Sequence, residues 1–67
     1  MRETKLYKSL DPYSACMYAE SEETPPEEQI MVVWQYISDN RLQNSLQGYY
    51  GRTVARLLNE GLIEKPL

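Results

Sequence analysis

The stretch GYYGRTVARLLNEGLIE, Gly48 to Glu64, decides how this chain folds. Val54, Leu57 and Leu58 recur at steps of three and four, the spacing of one apolar helix face. Gly61 stands where that helix should stop, because glycine takes the left-handed backbone of a C′ position without a Cβ clash. Leu62 is then expected to pack back on the last turn. Upstream, the same stripe continues through Leu42, Leu46 and Tyr49 or Tyr50, so the pattern from Arg41 reads naively as one long helix to Glu60. Two glycines oppose that reading. Gly48 and Gly51 each cost about 1 kcal/mol relative to alanine in a helix interior, and two so close invite a break. A break at Gly48 gives a helix from Arg41 to Gln47, a tight turn, and a second helix from Tyr50 to Glu60.

Toward the N-terminus, QIMVVWQYISDN places Ile30, Val33, Trp34 and Ile37 at i, i+3, i+4 and i+7, which predicts an amphipathic helix. Its start is marked by Thr24 and Glu27 in a capping-box pattern, with Pro25 at the first helical position and Glu27 and Glu28 at the positive end of the dipole. The turn formers Asp39 and Asn40 end it. Asp11-Pro12 offers an N-cap acceptor and a proline suited to the first helical position. A short helix from 12 to about 21 should follow, with Tyr13, Met17 and Cys16 as its apolar positions. Residues 1–10 stay open between the approach to a helix and an extended segment that completes a small sheet with Leu62 and Ile63. The expected fold is mostly α, a single three- to four-helix domain over residues 1–67, helix-turn-helix-like, with room for a short N-terminal extended segment.

Composition narrows the function. With 67 residues, 42% of them hydrophobic and 25% charged, the chain has the makeup of one soluble globular domain. A core of this size rarely supplies more than roughly 3 to 5 kcal/mol, so a homo-oligomer or a protein partner is expected to add support. No apolar run approaches the roughly 20 residues of a membrane span, and the N-terminus lacks the apolar middle of a secretory signal, so a cytoplasmic setting is expected. The single Cys16 makes no internal disulfide, and without histidine it makes no structural zinc site; neither metal nor cofactor is expected. There is no phosphate-binding glycine loop and no nucleophile beside a recognisable base, so the chain does not read as an enzyme. Charge is uneven: residues 1–40 carry three basic and eight acidic side chains, residues 41–67 four basic and two acidic. The overall charge of −3 opposes non-specific nucleic-acid binding, while the basic C-terminal part leaves a local DNA contact open.

Within Arg41–Glu64, the segment RTVARLLNEGLIEK resembles the recognition-helix end of winged helix-turn-helix DNA-binding regulators. In those, an arginine or serine followed by Thr-Val opens the reading helix, and Glu-Gly-Leu-Ile leads into the first wing strand. Gly48 and Val54 have the spacing of the turn glycine and of the β-branched residue that packs the two helices together. The resemblance implies a dimeric transcription regulator whose second helix enters the major groove, with Arg52, Ala55, Arg56 and Asn59 outward. Arg52 and Arg56 would fork onto guanine or brace phosphate, Thr53 and the Tyr50 hydroxyl would bond phosphate oxygens, and Arg41 would touch backbone from the preceding helix. The chain departs from the pattern at Asn44, where alanine is usual, and in having four residues after Ile63, too few for a wing.

Tyrosine suggests another reading. Six tyrosines and no phenylalanine present more phenolic surface than a small core buries, and tyrosine is favoured at protein interfaces. With the acidic run from Glu20 to Glu28, this describes an α-helical interaction module that docks on a larger protein through Tyr36, Tyr49 and Tyr50, or through Glu22 and Glu23. The blandest alternative is a helical bundle in which Arg52 and Arg56 simply face solvent.

Overall fold

The computed structural model describes residues 2–20, 27–44 and 48–66, apart from the side chains of Glu27 and Gln43. These residues form α1 (Lys5–Ser9), α2 (Pro12–Ala19), α3 (Glu27–Asp39) and α4 (Gly48–Asn59), with a short 3-10 helix at Leu42–Asn44 between the last two. Among the described residues there is no strand, and the fold is mostly α.

The amphipathic stripe of α3 makes it the centre. Val33, Trp34 and Ile37 are buried as the spacing predicts, joined by Val32, while Ile30 is half-buried. α1 and α2 both pack on α3, and the 3-10 helix lies against both α3 and α4. One apolar core results, with Leu10, Ala15, Tyr50, Val54, Leu57 and Ile63 closing over the α3 stripe. The radius of gyration is 10.7 Å, against about 11 Å expected for a folded chain of this length.

The N-terminal segment is helical. Thr4 caps α1 by accepting a hydrogen bond from the Tyr7 amide at 3.2 Å, so no extended strand runs beside Leu62 and Ile63. α2 begins as its sequence requires: the Ser14 amide donates to Asp11 Oδ1 at 2.7 Å, the Asp11 amide donates to Ser14 Oγ at 3.0 Å, and Pro12 holds the first helical position. Its orientation reverses the expectation. Ala15 is fully buried and Ala19 half-buried, whereas Tyr13 and Met17 face outward. The two alanines let α2 lie close on α3, which the larger tyrosine and methionine would prevent. Thr24 and Pro25, on which the expected α3 capping box rests, lie outside the described residues, as do Glu22 and Glu23.

After α3 the chain turns at Asn40 and Arg41. The Asn40 amide donates to the Tyr36 carbonyl at 3.1 Å, and Arg41 takes a left-handed φ of 55°. This turn ends α3, as Asp39 and Asn40 predict. Among the described residues the stretch after Arg41 is a 3-10 helix rather than a full helix, and Gly48 and Gly51 both belong to α4. α4 ends as Gly61 predicts: its φ is 71°, its amide donates to the Leu58 carbonyl at 3.1 Å, and the Leu62 amide donates to the Leu57 carbonyl at 3.0 Å. That pair of bonds is a Schellman cap. The residue that packs back is Ile63, which is buried, and not Leu62, which is exposed.

Candidate functional site

The densest polar cluster ties the two ends of the chain to α3. The Arg2 guanidinium forks onto Asp39, Nε to Oδ2 at 2.7 Å and Nη2 to Oδ1 at 2.8 Å. It also donates to Glu64 Oε2 and to the Lys65 carbonyl, each at 2.6 Å. The Tyr7 hydroxyl donates to Asp39 Oδ2 at 2.6 Å, and Gln35 Nε2 to Asp39 Oδ1 at 3.1 Å. Gln35, itself fully buried, accepts from the Glu64 amide at 2.6 Å and donates to the Glu64 carbonyl at 3.0 Å, as a paired strand would. Burial alone would raise the Asp39 carboxyl, but the hydrogen bonds from Arg2, Tyr7 and Gln35 outweigh it and hold it at about 2. Burial, then the bond to Asp39, pushes the Tyr7 hydroxyl up to about 12. Every member of this cluster is satisfied by another, so it serves to hold α1, α3 and the C-terminal segment together.

The outward strip of α4 is the one implied by the winged helix-turn-helix resemblance. Arg52, Ala55, Arg56 and Asn59 are all exposed, Thr53 is half-buried, and Arg41 is exposed on the preceding turn. Arg52 lies back along the helix, with Nη1 about as close as ordinary van der Waals contact allows, 3.4 Å, to where a Cβ on Gly48 would stand. Arg56 Nε faces Glu60 Oε2 at 3.8 Å, an exposed i,i+4 pair. Tyr50 does not join this strip. It is 2% exposed, its ring tilted against Trp34 at 5.5 Å and against Tyr49 at 4.5 Å, so its hydroxyl reaches neither a phosphate nor a partner's surface. Burial, then the neighbouring Tyr49 hydroxyl, pushes that hydroxyl up, and it lacks a hydrogen bond of good geometry among the described residues.

The tyrosines divide by location. Tyr36 and Tyr49 are half-buried, Tyr36 edge-on to Tyr7 with ring centroids 5.6 Å apart. Of the three tyrosines expected to meet a partner, then, one is core and two are mostly committed to internal contacts. The outward phenols are on α2, where Tyr13 is 75% exposed and Tyr18 40%, with Met17 at 57%. Tyr13 and Met17 are one helical turn apart and lie on one face. The half-buried Cys16 adjoins them. Sequence periodicity placed this pair inward. Side-chain size was the missed signal: Ala15 and Ala19 repeat at the same i,i+4 interval on the opposite side, and only small residues allow two backbones to approach closely.

Among the described residues, no group of cysteine, aspartate or glutamate side chains is arranged to hold a metal ion, and no helix is long and apolar enough to cross a membrane. Comparison with protein-family models, curated proteins and solved structures finds no match to this chain.

Proposed function

We propose that this chain is a non-enzymatic α-helical interaction module that docks on a larger protein through the outward face of α2. One observation carries the reading: a two-turn helix turns Ala15 and Ala19 inward, the first fully buried and the second half-buried, and presents Tyr13, Met17 and Tyr18 to solvent. Large apolar side chains grouped on one helix leave a patch of apolar surface in water, and such patches mark interaction sites. Tyrosine and methionine also suit an interface, the first by its dry ring and wet hydroxyl, the second by its adaptable shape. The experiment is capture from a nuclease-treated cell lysate on the immobilised protein at high salt. The wild type should retain a protein that a Tyr13→Ser/Met17→Ser variant loses and an Arg52→Ala/Arg56→Ala variant keeps. Retention indifferent to Tyr13 and Met17 contradicts the reading.

A second reading is DNA binding by a helix-turn-helix-type transcription regulator, with α4 as the reading helix. It is favoured by the exposure of Arg52, Ala55, Arg56 and Asn59 on one strip. Arginine forks onto guanine, asparagine pairs with adenine, and alanine suits the thymine methyl group. Against it stand the net charge of −3, the burial of Tyr50 and the pairing of Arg56 with Glu60. This reading expects salt-sensitive retention of duplex DNA that the Arg52→Ala/Arg56→Ala variant loses, and it fails if the wild type retains none.

A further inference from the structure

We infer that the outward face of α2 takes a protein partner whose apolar contact is rimmed by lysine or arginine, rather than a second copy of this chain. The inference rests on the docking role of α2 proposed above and names the chemistry of what docks there.

Charge complementarity carries it. From Ser9 to Asn40 the sequence contains no lysine or arginine. Asp39 in that span is taken up by Arg2, Tyr7 and Gln35. The remaining six carboxylates run from Asp11 to Glu28, and the nearest basic residues in the sequence are Lys8 before them and Arg41 after. Two of them bracket the apolar patch: Asp11 at the N-cap of α2 and Glu20 at its C-cap are both exposed. Asp11 is held below its ordinary range by the Ser14 amide and hydroxyl. A ligand lying along α2 over Tyr13 and Met17 therefore spans two acidic residues, Asp11 capping the Ser14 amide at one end and Glu20 at the other.

That arrangement disfavours self-pairing. Two copies related by a two-fold axis with their α2 helices antiparallel would set Asp11 of one against Glu20 of the other at both ends, and like charges at a rim select against that pairing. A basic-rimmed apolar partner turns the same two contacts into attractions. The apolar centre then supplies affinity that salt leaves in place, and the rim supplies the part that salt weakens.

The test uses two synthetic amphipathic helical peptides of equal length with the same leucine stripe, one with lysine and one with glutamate on its polar face. Each is titrated into the isotopically labelled full chain at low and high salt while amide chemical shifts are followed. The lysine peptide should perturb α2 amides, bind at least about tenfold more tightly than the glutamate peptide, and lose about tenfold in affinity against Tyr13→Ser/Met17→Ser. Equal binding of the two peptides overturns the charge rule while leaving the docking face intact. Lysine-peptide binding unchanged by the double substitution, or mapped away from α2, overturns the inference; if lysate capture still depends on Tyr13 and Met17, the functional reading survives it. Wild-type sedimentation as a dimer that the double substitution converts to monomer overturns it in favour of a second copy.

Discussion

Two buried hydroxyls and one buried carboxylate carry the clearest residue-scale consequences. Ser38 Oγ and Tyr50 Oη are buried with no hydrogen-bond partner among the described residues. A desolvated hydroxyl without a partner costs free energy that its removal returns. Ser38→Ala and Tyr50→Phe are each expected to raise the unfolding free energy by about 1 kcal/mol, read as a higher urea midpoint at unchanged slope. Asp39 behaves oppositely, because its side chain is 2% exposed and it accepts charge-assisted bonds from Arg2 and a bond from the Tyr7 hydroxyl. Asp39→Asn leaves Arg2 and Tyr7 facing a neutral amide and should destabilise by about 2 kcal/mol. None of this was legible in the sequence. Arg2, Tyr7, Gln35, Asp39 and Glu64 are spread from one end of the chain to the other, and no periodic pattern links a side chain at position 2 to one at position 39.

At the scale of elements, short-range chemistry was readable and the choice of face was not. Asp11-Pro12, the α3 stripe and Gly61 each act through neighbours within five residues, so spacing alone locates them. Asp11→Ala removes a reciprocal cap and should cost about 1 kcal/mol. Gly61→Ala places a Cβ on a backbone with φ of 71° and should cost about the same. α2 shows where such reasoning stops: both its faces repeat at i,i+4, and its alanine face was chosen by the close approach of α3, a tertiary fact. The turn that follows α3 likewise holds its left-handed residue at an arginine, Arg41, while Gly48 opens α4 and Gly51 lies inside it. Because Tyr13 and Met17 are outward, Tyr13→Ser/Met17→Ser should leave the unfolding free energy from urea titration within about 0.5 kcal/mol of the wild type. A large loss would place them in the core.

The whole molecule is closed by the Arg2–Asp39 cluster, which gives its stability a pH dependence. Asp39 titrates at about 2 in the fold and at 3.8 when unperturbed, so between those values the unfolded chain binds more protons and stability rises with pH. Its contribution, about 2 kcal/mol, is fully present above 3.8 and lost as the pH falls toward 2. Tyr7 acts at the other end: its contribution is present below 10 and lost as the pH rises toward 12. Urea midpoints across the acid range should therefore fall in the wild type and stay flatter in Asp39→Asn. The charge layout is also a property of the whole chain, with an acidic span over α2 and α3 and exposed arginines on α4, and it separates the protein-docking reading from the DNA reading. The most direct test is an amide chemical-shift map of the labelled chain with the protein that it retains from lysate. The docking account predicts that the perturbed amides cluster on α2 from Tyr13 to Glu20; clustering on α4 around Arg52, Arg56 and Asn59, with α2 unmoved, would contradict it.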